Sequence, residues 1–186
     1  MKKLVECVPN FSEGRDKDVI DSIVKSMQLV ENVKVLDVDS GKDTNRTVVT
    51  ILGEPMAVLE SAFKGIKTAS ELIDMNKHQG THPRMGATDV CPMIPVSEVS
   101  DEECINLTKT LGKRVGEELK IPVYLYEKSA QYKNRAKLPI IRSGEYEGLA
   151  KKLSNPEWKP DFGPSVMHPQ AGAVVIGCRD FLIAYN

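Results

Sequence analysis

Three histidines occur in the chain, His78, His82 and His168, and two of them bracket one short segment, H-Q-G-T-H-P-R-M-G. Imidazole, with an ordinary pKa of about 6.5, is the side chain best suited to trade protons near neutral pH. A His pair four residues apart on a helix could also grip a metal. Gly80 and Pro83 break any helix here, however, and no H-E-x-x-H is present. The competing readings of His82 are a general acid–base and a solvated loop histidine. The loop Lys77–Asp89 is long, polar and glycine-rich between two well-patterned elements, as functional loops often are.

Other candidates surround this loop in sequence. Asp37 and Asp39 alternate with Val38 and so share one strand face, with Asp43 beyond them. A carboxylate there would either orient an imidazole or cap the backbone N–H groups of its own loop. Asn10, Ser12 and Gly14 in P-N-F-S-E-G form neither a phosphate-binding G-x-x-x-x-G-K-[ST] nor a dinucleotide G-x-G-x-x-G, which disfavours ATP and NAD as cofactors. No G-x-S-x-G nucleophile elbow occurs. Lys133, Arg135, Lys137 and Arg142 would either draw in an anionic substrate or form a solvated basic surface. Cys7, Cys91, Cys104 and Cys178 include no C-x-x-C pair, and read as free thiols in a reducing compartment.

The elements that must position these residues follow from periodicity. Lys2–Val8 reads as a strand stopped by Pro9. Val19, Ile20, Ile23, Val24 and Met27 mark a helix over Asp16–Val30. Val33–Asp39 and Arg46–Gly53 read as a strand pair across the turn-rich Ser40–Asn45. A second apolar stripe runs from Pro55 to about Met75. Val90–Val96 is apolar but carries Pro92 and Pro95, which predicts a short or edge strand. Ser100 and Glu103 form a capping box opening a helix to about Lys120. Pro122–Tyr126 is a further strand, Ser129 and Ala130 start a short helical segment, and Gly144–Leu153 is another helix. Ala173–Gly177 and Phe181–Tyr185 read as closing strands. The opening β-α-β-β-α-β order predicts an α/β layered (α+β) fold. It has a mixed β-sheet covered by helices on one face and a split βαβ, ferredoxin-like opening.

With 186 residues the chain makes one substantial domain, and needs neither disulfides nor a metal to fold. Twenty-five Lys+Arg against 26 Asp+Glu give a formal net charge of −1, which argues against nucleic acid or an anionic membrane as partner. No apolar run approaches the roughly 20 residues a membrane helix needs, and the N-terminus has no signal-peptide stretch, so a cytoplasmic location is expected.

Six motifs taken together resemble the N-terminal subdomain of the glutamate formiminotransferases, the unit that also opens formimidoyltransferase-cyclodeaminase. They are LVECVPNFSEGRD, LDVDSGKDTNRTVVTILG, THPRMGATDVCPMIPV, VYLYEKSA, IRSGEYEGL and PDFGP, in the same order from Leu4 onward. The resemblance implies transfer of a formimino group between N-formimino-L-glutamate and tetrahydrofolate, giving 5-formiminotetrahydrofolate and L-glutamate, in histidine degradation. It implies tetrahydrofolate as a co-substrate, with no covalently bound cofactor and no metal. His82 matches the active-site histidine, and Asp39 of D-V-D-S-G a supporting residue near it. The folate-binding stretch matches Gly163, Pro164, Ser165, Val166, Met167, His168, Pro169, Gln170, Ala171 and Gly172, with His168 and Gln170 departing from the expected pattern. In the family a second subdomain follows the A-Y-N motif, where this chain ends. Residues 1–186 are therefore expected to be the N-terminal subdomain alone, a homodimer or partner of the missing half, with weakened folate binding. The alternative is a non-catalytic folate-binding or interaction module that needs a partner chain.

Overall fold

The computed structural model describes residues 2–182. Strand β1 (Leu4–Cys7) buries Val5 and Cys7 on one face. Pro9 interrupts it, and β2 (Asn10–Phe11) continues in the same slot. Helix α1 (Lys17–Gln28) starts at Asp16, whose side chain accepts from the N–H groups of Asp18 and Val19, and buries Ile20, Ile23 and Met27. Strands β3 (Val33–Gly41) and β4 (Arg46–Gly53) form an antiparallel hairpin with a bulge between Val35 and Asp37. Helix α2 (Pro55–Leu72) stops short of Met75, whose N–H is taken by the Gln170 carbonyl. Then come β5 (Thr88–Ser97) and α3 (Asp101–Glu118), the latter opened by the expected reciprocal Ser100–Glu103 box.

The first four strand positions run β3, β4, β1/β2, β5, all antiparallel, with α1 and α2 as the crossovers. This is the split βαβ arrangement read from the sequence. Strands β6 (Val123–Leu125) and β7 (Val174–Cys178) extend it in parallel, β7 against β5 and β6 outermost. The seven-stranded sheet is therefore mixed.

The expectation of a short or edge strand at Val90–Val96 is overturned. β5 has ten residues and lies between β1/β2 and β7. Its prolines fall where a donor is not required. The Pro92 carbonyl accepts from Val8 N–H, so its missing N–H faces the break between β1 and β2. Pro95 lies beyond the last β7 pairing, Met93 with Cys178.

Alternation divides the core. Val123, Leu125, Val174 and Ile176 pack with the long helices α1–α3. Tyr124 and Val175 point the other way, into a smaller core with Met85, Val90, Ile141, Leu149 and Leu153. That second core is closed by two short helices, α4 (Leu138–Arg142) and α5 (Glu145–Leu153). The three long helices thus cover one face, while α4 and α5 cover the β5–β7–β6 end of the other.

All four cysteines are buried free thiols. In place of a helix from Ser129, the chain forms tight single turns at Glu127–Ser129 and Lys133–Arg135. The second closing strand, Phe181–Tyr185, lies mostly outside the described residues, and Phe181 and Leu182 carry no strand pairing. No helix among the described residues is long and apolar enough to cross a membrane.

Candidate functional site

Asn45 ties together the loops that carry the polar motifs. It opens β4 in a left-handed conformation (φ 48°), which Asn tolerates better than most residues. Its Oδ1 accepts from Gly14 N–H and its Nδ2 donates to the Gln79 carbonyl, both at 2.9 Å. Its own carbonyl accepts from His78 Nε2 at 2.9 Å. The loops approach so closely that a Cβ on Gly80 would stand 2.3 Å from the Thr44 carbonyl oxygen.

His78 is occupied by this scaffold. Its Nδ1 accepts from Arg84 Nε at 3.2 Å, so Nε2 carries the hydrogen given to Asn45. Arg84 in turn reaches Glu145 at 3.1 Å and Glu147 at 2.8 Å on α5. The two loop histidines do not converge on a common point, and their contacts are separate.

His82 is half-buried and its ring faces a charged cluster. Its Nδ1 lies 2.8 Å from Arg46 Nη1 and 2.7 Å from the Pro83 carbonyl oxygen. One ring nitrogen cannot accept from the first and donate to the second at once. When Nδ1–H donates to Pro83, the Nε2 lone pair is free and the ring is a base. When Nδ1 accepts from the permanently charged Arg46, Nε2 carries the hydrogen. Burial lowers the His82 pKa, and the Arg46 charge adds to that, with Asp89 opposing. The surroundings therefore favour the neutral imidazole, and its protonated form is a stronger acid than free imidazolium.

Asp89, 1% exposed in its side chain, anchors the cluster from β5. It accepts from Met85 N–H at 3.0 Å, from Arg46 Nη1 at 3.1 Å, and from Arg142 through both Nε (3.3 Å) and Nη2. Arg46 also donates from Nε to Asn10 Oδ1 at 3.0 Å. The reading of Arg135 and Arg142 as solvated basic surface is corrected here. Arg135 is buried against Asp161 at 3.1 Å, and Arg142 ends α4 beside Asp89.

Asp39 stands inside β3 rather than at its end. It is opposite Val48, which is opposite Asn10, so it shares the sheet face of Asn10 and Arg46. It is exposed, and no hydrogen bond or ion pair among the described residues joins it to His82. The carboxylate that reaches the histidine, through Arg46, is Asp89. Sequence reading passed over Arg46, Asp89 and Asn45. A polar residue at the start of an otherwise apolar strand was the only signal available for any of them.

The stretch Gly163–Gly172 divides in two. Gly163 packs against Gly116 of α3 and the Ile121 carbonyl, with Val166 exposed. Its far end reaches the His82 loop, because Ala171 accepts from Ala87 N–H at 2.9 Å and Gly172 bridges to Gly86. His168 staples this end: Nδ1 accepts from the N–H groups of Gln170 (3.3 Å) and Ala171 (2.9 Å). Gln170 reaches back to Glu71.

Burial lowers the pKa of His168, as it does for His82. The unfolded chain therefore binds more protons below its ordinary pKa of 6.5. Stability is expected to be full above that value and to fall as pH drops from 6.5 toward the folded-state pKa values. Urea midpoints at pH 7.5 and 5.5 measure this. His168→Gln should flatten the dependence, and an identical slope in the variant would show that the staple is not the cause.

A family model, "Formiminotransferase domain, N-terminal subdomain", matches residues 4–179. Formimidoyltransferase-cyclodeaminase of Mus musculus is 56% identical over 186 residues, covering 100% of this chain and 34% of its own length. Glutamate formimidoyltransferase of Thermoplasma acidophilum is 51% identical over 185 residues, covering 98% of this chain and 61% of its own. The Streptococcus pyogenes serotype M1 protein of that name is 45% identical over 186 residues, covering 100% and 62%. The chain thus spans about a third of the first relative and about three fifths of the other two.

Proposed function

Because this chain belongs to the formiminotransferase domain family, as its N-terminal subdomain, we propose that it supplies the proton-transfer machinery for formimino transfer between N-formimino-L-glutamate and tetrahydrofolate. The observation that supports this most is His82, half-buried, with its pKa lowered, and held between Arg46 and the Pro83 carbonyl. The ring amine of tetrahydrofolate bonds to the amidine carbon as its N–H proton passes to His82 Nε2. The tetrahedral adduct then collapses. The bond from carbon to the glutamate nitrogen breaks, and the imidazolium returns the proton to that nitrogen. The products are 5-formiminotetrahydrofolate and L-glutamate, in a step of histidine degradation, within the reducing cytosol that suits four buried free thiols. Such acid–base catalysis supplies about 10²–10⁴-fold, and holding two substrates in line supplies much of the rest.

Folate is proposed to lie along Gly163–Gly172, whose far end abuts the His82 loop. Asp39 is proposed to line the same open sheet face as a second carboxylate. The relatives are longer than this chain, which supports a cleft whose other wall is a second subdomain. An assay of the purified chain with tetrahydrofolate and formiminoglutamate, with and without that second half, tests the reading. Turnover is expected when both halves are present. No turnover under either condition would favour the alternative, a folate-binding or interaction module without catalysis.

A further inference from the structure

The Asp89 cluster holds one positive charge more than its own structure requires. One buried carboxylate is faced by two guanidinium groups, Arg46 and Arg142. Burial lowers the pKa of Arg46, Asp89 opposes, and the like charge of Arg142 lowers it further. Burying surplus charge is costly, so a second arginine is a poor device for stability alone.

The two arginines differ in what they have left to give. Arg46 spends its guanidinium on Asn10, His82 and Asp89. Arg142 meets Asp89 side-on through Nε and Nη2, and its Nη1 has no hydrogen-bond partner among the described residues. Beside it opens a cleft of about 310 Å³, lined by Pro83, Pro139, Arg142, Ser143, Gly144 and Glu145. Pro83, which forms part of its wall, offers its carbonyl oxygen to His82 Nδ1 at 2.7 Å, and the Arg142 charge is close enough to act on that ring. Its rim also carries a negative charge, Glu145, which Arg84 holds at 3.1 Å. A donor of one charge facing a carboxylate of the other across one small cleft suits an α-amino acid head group.

We propose that this cleft holds the amino-acid substrate, its carboxylate on Arg142 Nη1 and its cationic nitrogen toward Glu145. The proposal rests on the formimino-transfer reading, since the glutamate nitrogen must then come within reach of His82. Binding the carboxylate also neutralises the surplus charge, so the site is filled only when an anion is present.

Calorimetric titration of this chain with L-glutamate, with glutarate and with folinate tests it, in the wild type and in Arg142→Gln. L-Glutamate is expected to saturate the wild type, and Arg142→Gln to weaken it about tenfold or more, as loss of a charged hydrogen bond does. Glutarate, lacking the nitrogen, should bind the wild type more weakly than L-glutamate. Folinate affinity should change less than twofold in the variant, on the scale of RT for such ratios. Arg142→Gln also removes a partner of Asp89, so side-chain NMR of the wild type provides a second reading. The Arg142 Nε–H signal and the backbone amides of residues 140–145 should shift with L-glutamate. Equal L-glutamate affinity in both proteins, shifts elsewhere only, or a loss of folinate instead of L-glutamate would overturn the proposal. Folinate binding without any L-glutamate binding would overturn it alone. Failure of both ligands, with the second half also present, would remove the formimino-transfer reading with it.

Discussion

Replacing His82 by alanine should lower turnover by about 10²–10⁴-fold in the presence of the second subdomain, while the fold persists. In the proposed transfer, the proton released when the amine attacks has to be held and then delivered to the departing nitrogen. His82, half-buried and with its pKa lowered by burial, is the side chain proposed to do both. Alanine removes only contacts to Arg46 and the Pro83 carbonyl at the edge of the cluster, and no core packing. Far-ultraviolet dichroism and the urea midpoint should stay close to wild type. His78→Ala should cost less activity, because that ring is engaged by Arg84 and Asn45 and acts only through the loop. A variant at position 82 that keeps more than half the parent's rate would exclude the acid–base role. Equal losses at both histidines would point to a shared function that their separate contacts do not suggest.

Asp89→Asn should be the most damaging single substitution for stability, at about 3–5 kcal/mol. The carboxylate accepts from Met85 N–H and from both guanidinium groups, and its side chain is 1% exposed. An amide of the same shape turns one acceptor into a donor and leaves two buried cations facing each other. Asp39→Asn is the matched control, since an exposed carboxylate without partners should move stability by no more than about 0.5 kcal/mol. Urea unfolding with unchanged m-values separates the two. The same variant should also lower the His82 pKa further, because Asp89 is the nearby charge that favours the imidazolium. The acidic limb of the rate profile would then shift to lower pH in Asp89→Asn and stay in place in Asp39→Asn. Comparable stability losses in both variants, or a shift confined to Asp39→Asn, would return the supporting role to Asp39.

The helices were legible because their signals are local. Val19, Ile20, Ile23 and Met27 lie within one helix face, and Ser100 and Glu103 cap each other across three residues. The ferredoxin-like order followed from such elements taken in sequence. Helix α4 was not legible, since five residues are too few to display a 3.6-residue period. Strand β5 was misjudged because its first seven residues are buried on both faces, which erases alternation, and because the two prolines count against a strand until their neighbours are known. The long polar loop with His82 in it was visible from composition alone.

What the amino-acid sequence determined by itself was therefore the set of elements, their order, and the loop that bears His82. Those depend on neighbours a few residues apart. The partners of that histidine were decided only by the tertiary structure. Arg46 lies 36 residues before His82, and Arg142 lies 53 residues after the Asp89 it meets. Strand register brings Arg46 and Asp89 close together on the two strands that flank β2, and the short α4 returns Arg142 to the same carboxylate. Asp37 and Asp39 carried the same strand-face pattern that would have recommended a supporting carboxylate. Asp89 carried none, because its selection depends on which strand lies beside β4 and on the charge that the buried arginines require.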